Sequence, residues 1–246
     1  MNLTSILVYI DTTSACDIRM DLAFRLARRC DAYVTGAGLE EAVVGPRGRF
    51  DRLLRQEQVS GEWQTIVGLP VSHLTRYACA NDLVVVGQRD TTDPTGLDAP
   101  EDVVLGCGRP VLIVPKVSTP PRVEGNLLIS WNGSREAMRA VQDALPVMGL
   151  YDAVTVLSIN PEEDADIELQ TKLIDHLVRH GLNAVPETTR TASGVVADAI
   201  LRRAAELDAG AIVMGAYGHS RLREMILGGV TRDMLLDTGR PLLMSH

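Results

Sequence analysis

The sequence predicts an α/β protein built of two tandem doubly wound, five-stranded parallel-sheet domains, Rossmann-like, each with strand order 3-2-1-4-5. Three observations predict it. Hydrophobic residues make up 46% of the 246, yet Phe and Trp number only two each, and a core of Val, Leu, Ile and Ala suits parallel strands covered by helices. The chain is also written twice. SILVYID (Ser5 to Asp11) is echoed by NLLISWN (Asn126 to Asn132), NDLVVVGQ (Asn81 to Gln88) by AGAIVMGA (Ala209 to Ala216), and GRPVLIVP (Gly108 to Pro115) by GRPLLMSH (Gly239 to His246), at offsets of 121, 128 and 131 residues. Three matches in one order argue for duplication. Finally, apolar runs alternate with helical patterns, and right-handed crossovers then place helices on both faces of a parallel sheet.

The second half shows the elements most clearly. Leu127 to Trp131 is an apolar strand. Ser134 is placed to cap the helix SREAMRAVQDALPVM, with Glu136 and Asp143 on its polar side. Ala153 to Ile159 is the next strand, and Asp166 to His180 a helix stopped by Gly181. Ala184 to Arg190 is the third strand and Val195 to Leu207 the third helix. Ala211 to Met214 is the fourth strand, and Pro241 to Met244 the fifth. The first half repeats this order and is less regular between Gly45 and Gly61. KVSTPPRVEG, Lys116 to Gly125, has the two prolines and small polar residues of a semi-rigid spacer. Domains are therefore expected at 1–115 and 126–246, with 116–125 as linker.

A net charge of −8 is repelled by phosphate backbones, so nucleic acid is not an expected partner. MNLTSILVYID has no basic n-region or cleavage site, and no 18 consecutive apolar residues occur, so neither export nor a membrane is expected. Cys16, Cys30, Cys79 and Cys107 form no CxxC pair and read as reduced thiols. The expected compartment is the cytoplasm.

The stretch VMGAYGHSRLREMILGGVTRDML, Val213 to Leu235, holds four glycines where an apolar strand gives way to a helix. In open parallel sheets ligands bind beyond the carboxyl ends of the strands, where the winding reverses. For this strand order that point lies between strands one and four, so Asn132 and the glycine stretch should meet there. Gly215 and Gly218 are expected to take positive φ and to let backbone N–H groups approach a ligand. Ser220 is a candidate cap, and a helix N-terminus favours anions. Two courses are open to the chain beyond Ser220. Either one helix packs closely through Gly228 and Gly229, or the chain loops out and VTRDMLLDT is the true fourth helix, with Gly228–Gly229 at its start. The second is preferred, because a double glycine inside a helix costs about 2 kcal/mol relative to alanine.

Gly215-Ala-Tyr-Gly218, nine residues from His219 to Leu227, then Gly228-Gly229-Val230-Thr231 resembles the nucleotide motif of the universal stress proteins (UspA-like). The duplication and the GRPVLIVP endings resemble that family too, and the likeness covers nearly the whole chain. It implies a site for an adenine nucleotide, ATP with or without Mg, formed by Asn132, Gly215, Gly218, His219, Ser220, Gly228, Gly229, Val230 and Thr231. It also implies pairing of fifth strands, as an intrachain pseudo-dimer or a homodimer. The chain departs from the family in having Gly229 where a Ser or Thr donor is usual, and Asn132 where an Asp is usual. Bonds to charged phosphate oxygens contribute about 1.5–3 kcal/mol each, so one lost hydroxyl weakens binding roughly tenfold to a hundredfold. The first half keeps Asp11 but, after Gly87, lacks Gly-x-x-Gly and carries Asp90 and Asp93 instead. It is not expected to hold a nucleotide.

Other clusters have plainer readings. His176 and His180 are spaced for a shared metal but have no third ligand in sequence, and the acidic run PEEDAD, Pro161 to Asp166, suits a helix N-terminus. His219, Arg221 and Arg223 lie within or beside the motif. No P-loop lysine, nucleophile elbow or kinase signature occurs, so no catalytic residue and no metal ligand is assigned. The leading expectation is a nucleotide-binding sensor or regulator of the stress response. A nucleotide-free scaffold acting through dimer surfaces comes second, and a slow ATP hydrolase third.

Overall fold

The computed structural model describes residues 2–39, 43–89, 97, 99–116, 121–161, 163–192, 195–218 and 229–246. It divides into two compact units, Met1–Pro121 and Arg122–His246.

In the first unit the chain runs β1 (Ser5–Ile10), α1 (Cys16–Cys30), β2 (Tyr33–Leu39), α2 (Gly48–Glu57), β3 (Gly61–Ile66), α3 (Pro70–Tyr77), β4 (Leu83–Gly87), α4 (Pro100–Gly106) and β5 (Val111–Val114). All strands are parallel, in the order β3-β2-β1-β4-β5. The central strands are buried on both faces, as an unbroken Ile-Leu-Val-Tyr-Ile run in β1 demands. Asp82 ties the start of β1 to β4. Its Oδ2 accepts from the Thr4 and Ser5 amides (2.8 and 3.1 Å) and from both hydroxyls (2.6 and 3.2 Å). The stretch that reads as irregular holds a π-type turn, Val43–Arg47, containing Pro46, and then α2. Phe50 of α2 is fully buried and meets Phe24 and Trp63 edge-on, at centroid distances of 5.5 and 5.8 Å. Three of the chain's four Phe and Trp side chains thus gather in one place, over the glycines of β2. Burying one such side chain contributes about 1.5–3 kcal/mol.

The second unit runs β6 (Asn126–Trp131), α5 (Arg135–Met148), β7 (Ala153–Ile159), α6 (Asp164–Arg179), β8 (Ala184–Thr189), α7 (Val196–Glu206), β9 (Ala211–Gly215), α8 (Val230–Leu236) and β10 (Leu242–Ser245). Its order, β8-β7-β6-β9-β10, is again 3-2-1-4-5. Pro186 lies in β8, an outer strand, where its missing N–H is tolerated. Buried Gln170 of α6 donates to the carbonyls of Val156 and Glu187 (2.8 and 2.9 Å), fixing the helix over β7 and β8. The acidic run opens α6 as a capping box between Glu163 and Asp166. α8 begins at Val230 with Gly229 as its N-cap, so VTRDMLL is a helix of its own.

Candidate functional site

β6 and β9 are parallel neighbours, with Ser130 beside Met214, so their carboxyl ends emerge side by side. Beyond β6 the chain turns at Asn132. Its Oδ1 accepts from the Ser134 amide (3.1 Å), an Asx turn that places Gly133 at φ +70°. Ser134 Oγ then accepts from Ala137 N (3.1 Å) and caps α5. Asn132 itself is exposed.

The end of β9 crosses directly over this cap. A Cβ on Gly215 would lie 2.5 Å from Ala137 N and from the Glu136 carbonyl carbon, both backbone atoms that cannot give way. A Cβ on Gly218 would lie 3.0 Å from Glu136 Oε2 and 3.1 Å from Ser134 Oγ. Gly215 is therefore needed for close approach to α5, whereas a Cβ on Gly218 would meet only side-chain atoms that could shift by a few tenths of an ångström. Neither has positive φ, which corrects the sequence expectation; the left-handed residue is Tyr217, at φ +58°. Absence of a Cβ serves conformation or contact equally well, and only the neighbouring helix shows which applies here.

The turn is braced from below. Ala216 N donates to Ser245 O (2.8 Å), the Ala216 carbonyl meets His246 Nδ1 (2.9 Å), and Tyr217 N donates to Thr231 Oγ1 (3.2 Å). Thr231 is 3% exposed, so its hydroxyl joins α8 to the turn from inside. Two amides of the Gly-x-x-Gly segment, those of Ala216 and Tyr217, are thus already engaged within the turn. Gly229 is buried and Val230 half-buried at the start of α8. His219, Ser220 and Gly228, like Arg221 and Arg223, lie outside the described residues. Among the predicted residues, Asn132, Gly215 and Gly218 come together, with Thr231 behind them.

Two residues that sequence reading passes over belong to this place. The helical pattern puts Glu136 on the polar side of α5, but its carboxylate faces Gly218. His246 holds the turn through a contact that no spacing announces. Among the described residues no three His, Cys, Asp or Glu side chains converge to hold a metal ion. His176 and His180 meet edge-on at 4.6 Å, and His176 Nε2 lies 3.1 Å from the Gln142 amide nitrogen.

The corresponding turn of the first unit is closed. Asp11 Oδ1 accepts from Thr13 N (3.0 Å) and Thr13 Oγ1 (2.6 Å), and its Oδ2 lies 2.7 Å from Arg19 Nη2. The Nη2–Oδ2 approach is an ion pair without the alignment of a hydrogen bond. Both side chains are 2% exposed. Arg19 Nε donates to Tyr9 O (2.7 Å), and the guanidinium reaches across to β4, where a Cβ on Gly87 would run into Nη1. The space between the tips of β1 and β4 thus holds a guanidinium. Burial pushes the neighbouring Cys16 thiol up, which keeps it protonated.

A sequence model described as "Universal stress protein family" matches residues 126–246, the whole sheet of the second unit. No curated protein matches the chain. Among solved structures, a universal stress protein from Archaeoglobus fulgidus DSM 4304 superposes with a TM-score of 0.81 at 14% identity, covering 99% of this chain and 96% of that one. A functionally unknown protein of Pseudomonas aeruginosa PAO1 superposes with a TM-score of 0.68 at 17% identity, covering 99% and 92%. The cytoplasmic domain of a prokaryotic cation chloride cotransporter does so with a TM-score of 0.61 at 12% identity, covering 99% and 95%. These likenesses establish a fold shared along the full chain. Among the described residues no helix is long and apolar enough to cross a membrane.

Proposed function

We propose, on the premise that this chain belongs to the universal stress protein family through its second unit, that this unit binds an adenine nucleotide at the tips of β6 and β9. ATP, with or without Mg, is the ligand proposed, and the role is that of a cytoplasmic sensor or regulator in stress response. One observation carries the reading. Two short turns, Asn132–Ser134 and Gly215–Gly218, come from opposite ends of the domain sequence and meet at the point where the winding of the sheet reverses. Asn132 stands exposed at that point, in reach of a base or ribose. Phosphates would lie along Gly218 to Gly229, a segment whose composition suits close backbone approach. In the first unit Arg19 occupies the same region, and no nucleotide is proposed there.

Thermal unfolding with and without ATP tests the reading. A ligand at a hundred times its Kd adds about 2.7 kcal/mol, so Tm should rise by several degrees. Gly218→Val should abolish the rise. An unchanged Tm at millimolar ATP removes the proposal.

The nucleotide-free scaffold is kept as a second reading because the amides of Ala216 and Tyr217 are engaged inside the turn. It predicts a site that carries nothing after purification. In each unit the fifth strand lies at one edge of its own sheet, and pairing of these edges, within a chain or between chains, belongs to the same proposal. Light scattering of the purified protein distinguishes the two. Slow ATP hydrolysis is ranked last.

A further inference from the structure

We propose that the outer flank of α6 is a docking surface for the same flank of a second copy of this chain, the two helices lying antiparallel. The inference does not depend on the nucleotide reading, and the face is separate from the fifth-strand edges named above. α6 has 16 residues, of which only Gln170 and Leu177 are buried. Gln170 bonds the carbonyls of Val156 and Glu187, which seats the helix over β7 and β8. His176 meets Gln142 of α5, which marks the inner flank. Ile167 lies nine residues before His176, about two and a half helical turns, and so projects from the opposite flank, on the side of the open edge of β8. Thr171, Ile174 and Val178 share that flank, at the 4-3-4 spacing of a helix-packing seam. Ile167 is 46% and Val178 53% exposed, and Ile174 is half-buried. Thr171 Oγ1 donates back to the Ile167 carbonyl (2.9 Å), so its hydroxyl can be covered without losing a partner.

Charge decides what covers this flank. Asp164 and Asp166 open α6 and Arg179 ends it. A second α6 laid antiparallel, with its twofold axis beside Lys172 and Leu173, sets Ile167 against the partner's Val178 and Thr171 against the partner's Ile174. The same rotation brings Arg179 within one turn of the partner's Asp164, twice over, and opposes the two helix dipoles. A parallel copy would set acid beside acid. Self-complementarity of this kind is what a twofold interface demands. Strand addition at β8 is a poor alternative. The amides of Val154 and Asn160 donate to the carbonyls of Asn183 and Thr189, so by alternation Pro186 faces the open side, where it has no N–H to give. The helices must therefore carry the contact. In the first unit the corresponding helix, α2, exposes no large apolar side chain. One helix flank about 24 Å long makes a small interface, so the expected dimer is weak, with a Kd in the micromolar range.

Sedimentation velocity of the full chain, from about 1 to about 500 µM, tests this, with the folding of every variant checked by circular dichroism. The native protein should show a concentration-dependent equilibrium between monomer and dimer. Ile167→Glu and Val178→Glu, both at exposed positions, should each weaken the dimer about tenfold or more, since each sets a charge into the seam twice. Arg179→Asp and Asp164→Arg should each weaken it about tenfold, and the two together should return it to within about threefold of the native value. A dimer that Ile167→Glu and Val178→Glu leave intact overturns the inference and leaves fifth-strand pairing as the source of assembly. A monomer at every concentration overturns it as well, and gives the flank to some partner other than a second copy. A charge-swapped protein that dimerises no better than its single variants contradicts the antiparallel arrangement, and the inference with it.

Discussion

Asp11 and Asn132 stand at the same point of their units, one residue beyond the first strand. Each uses one side-chain oxygen to accept the amide two residues on, from Thr13 or Ser134. Their second polar atoms part company. Asp11 Oδ2 faces Arg19, buried on α1, whereas the repeat offset places Ala140 at that position on α5, and Asn132 is left exposed. The fourth strands match in the same way. Gly87 and Gly215 both lack a Cβ at a point of close approach, but one makes room for a guanidinium and the other for the first turn of a helix. One turn geometry thus carries a buried ion pair in one unit and an exposed Asn132 in the other. The buried positions related by the repeat differ in kind, Arg19 in the first unit and Ala140 in the second.

The sharpest way to break the comparison is to empty the first crevice. Arg19→Met should destabilise the first unit by about 3–5 kcal/mol, since the Asp11 charge is left buried and unpaired. Asp11→Asn combined with Arg19→Met should recover much of that loss, because no uncompensated charge remains. Urea unfolding of the three proteins measures both. A smaller loss is expected at the matching glycine of the second unit. Gly215→Ala forces a methyl onto backbone atoms of α5 and should cost about 1–3 kcal/mol. It should also reduce the ATP-induced rise in Tm, because the two turns are pushed apart.

Capping separates the units by a smaller amount. Ser134 caps α5, whereas Thr13 gives its hydroxyl to Asp11 and α1 begins at Cys16, with Ala15 at its N-cap and no side-chain cap. Ser134→Ala should cost about 1 kcal/mol in thermal unfolding. The smallest effect is one of pH. Burial works against the Asp82 charge, but the bonds from Thr4 and Ser5 outweigh it and hold the carboxyl below its ordinary value of 3.8. A folded-state value below the unfolded one stabilises the protein above pH 3.8, and that contribution is lost as pH falls further. Asp82→Ala should therefore flatten the acid limb of the first unit's stability curve, while leaving its slope near neutral pH unchanged. The second unit has Gly210 at this position and no such carboxylate.

Much of the architecture is legible in the sequence because it is periodic. Repeats, apolar runs and breakers such as Gly181 lead to the strand order found, and the cost of paired glycines in a helix points to the start of α8 at Gly229–Val230. What escapes depends on how two elements cross. A helical pattern puts Glu136 on a polar face, and nothing in the pattern says that the end of β9 passes over that face. Arg19 sits in the buried stripe of α1, among Cys16, Met20 and Ala23. As a lone charge in such a stripe it calls for a partner, but sequence does not say that the partner is the aspartate which ends β1. Thr231, which the resemblance includes in the site, is buried, and its hydroxyl accepts from the amide of Tyr217, a left-handed residue whose conformation no spacing announces. The DMLL of α8 is plain in the pattern, whereas the stretch from His219 to Gly228 lies outside the described residues.

The central claim is that one unit accepts a nucleotide and the other has filled the same place with its own side chain. Native mass spectrometry of the full chain, titrated with ATP under non-denaturing conditions, tests it most directly. The account predicts a single nucleotide per chain, retained in the Asp11→Asn, Arg19→Met double variant and lost in Gly218→Val. No bound nucleotide at millimolar ATP, or two per chain in the unaltered protein, would contradict it.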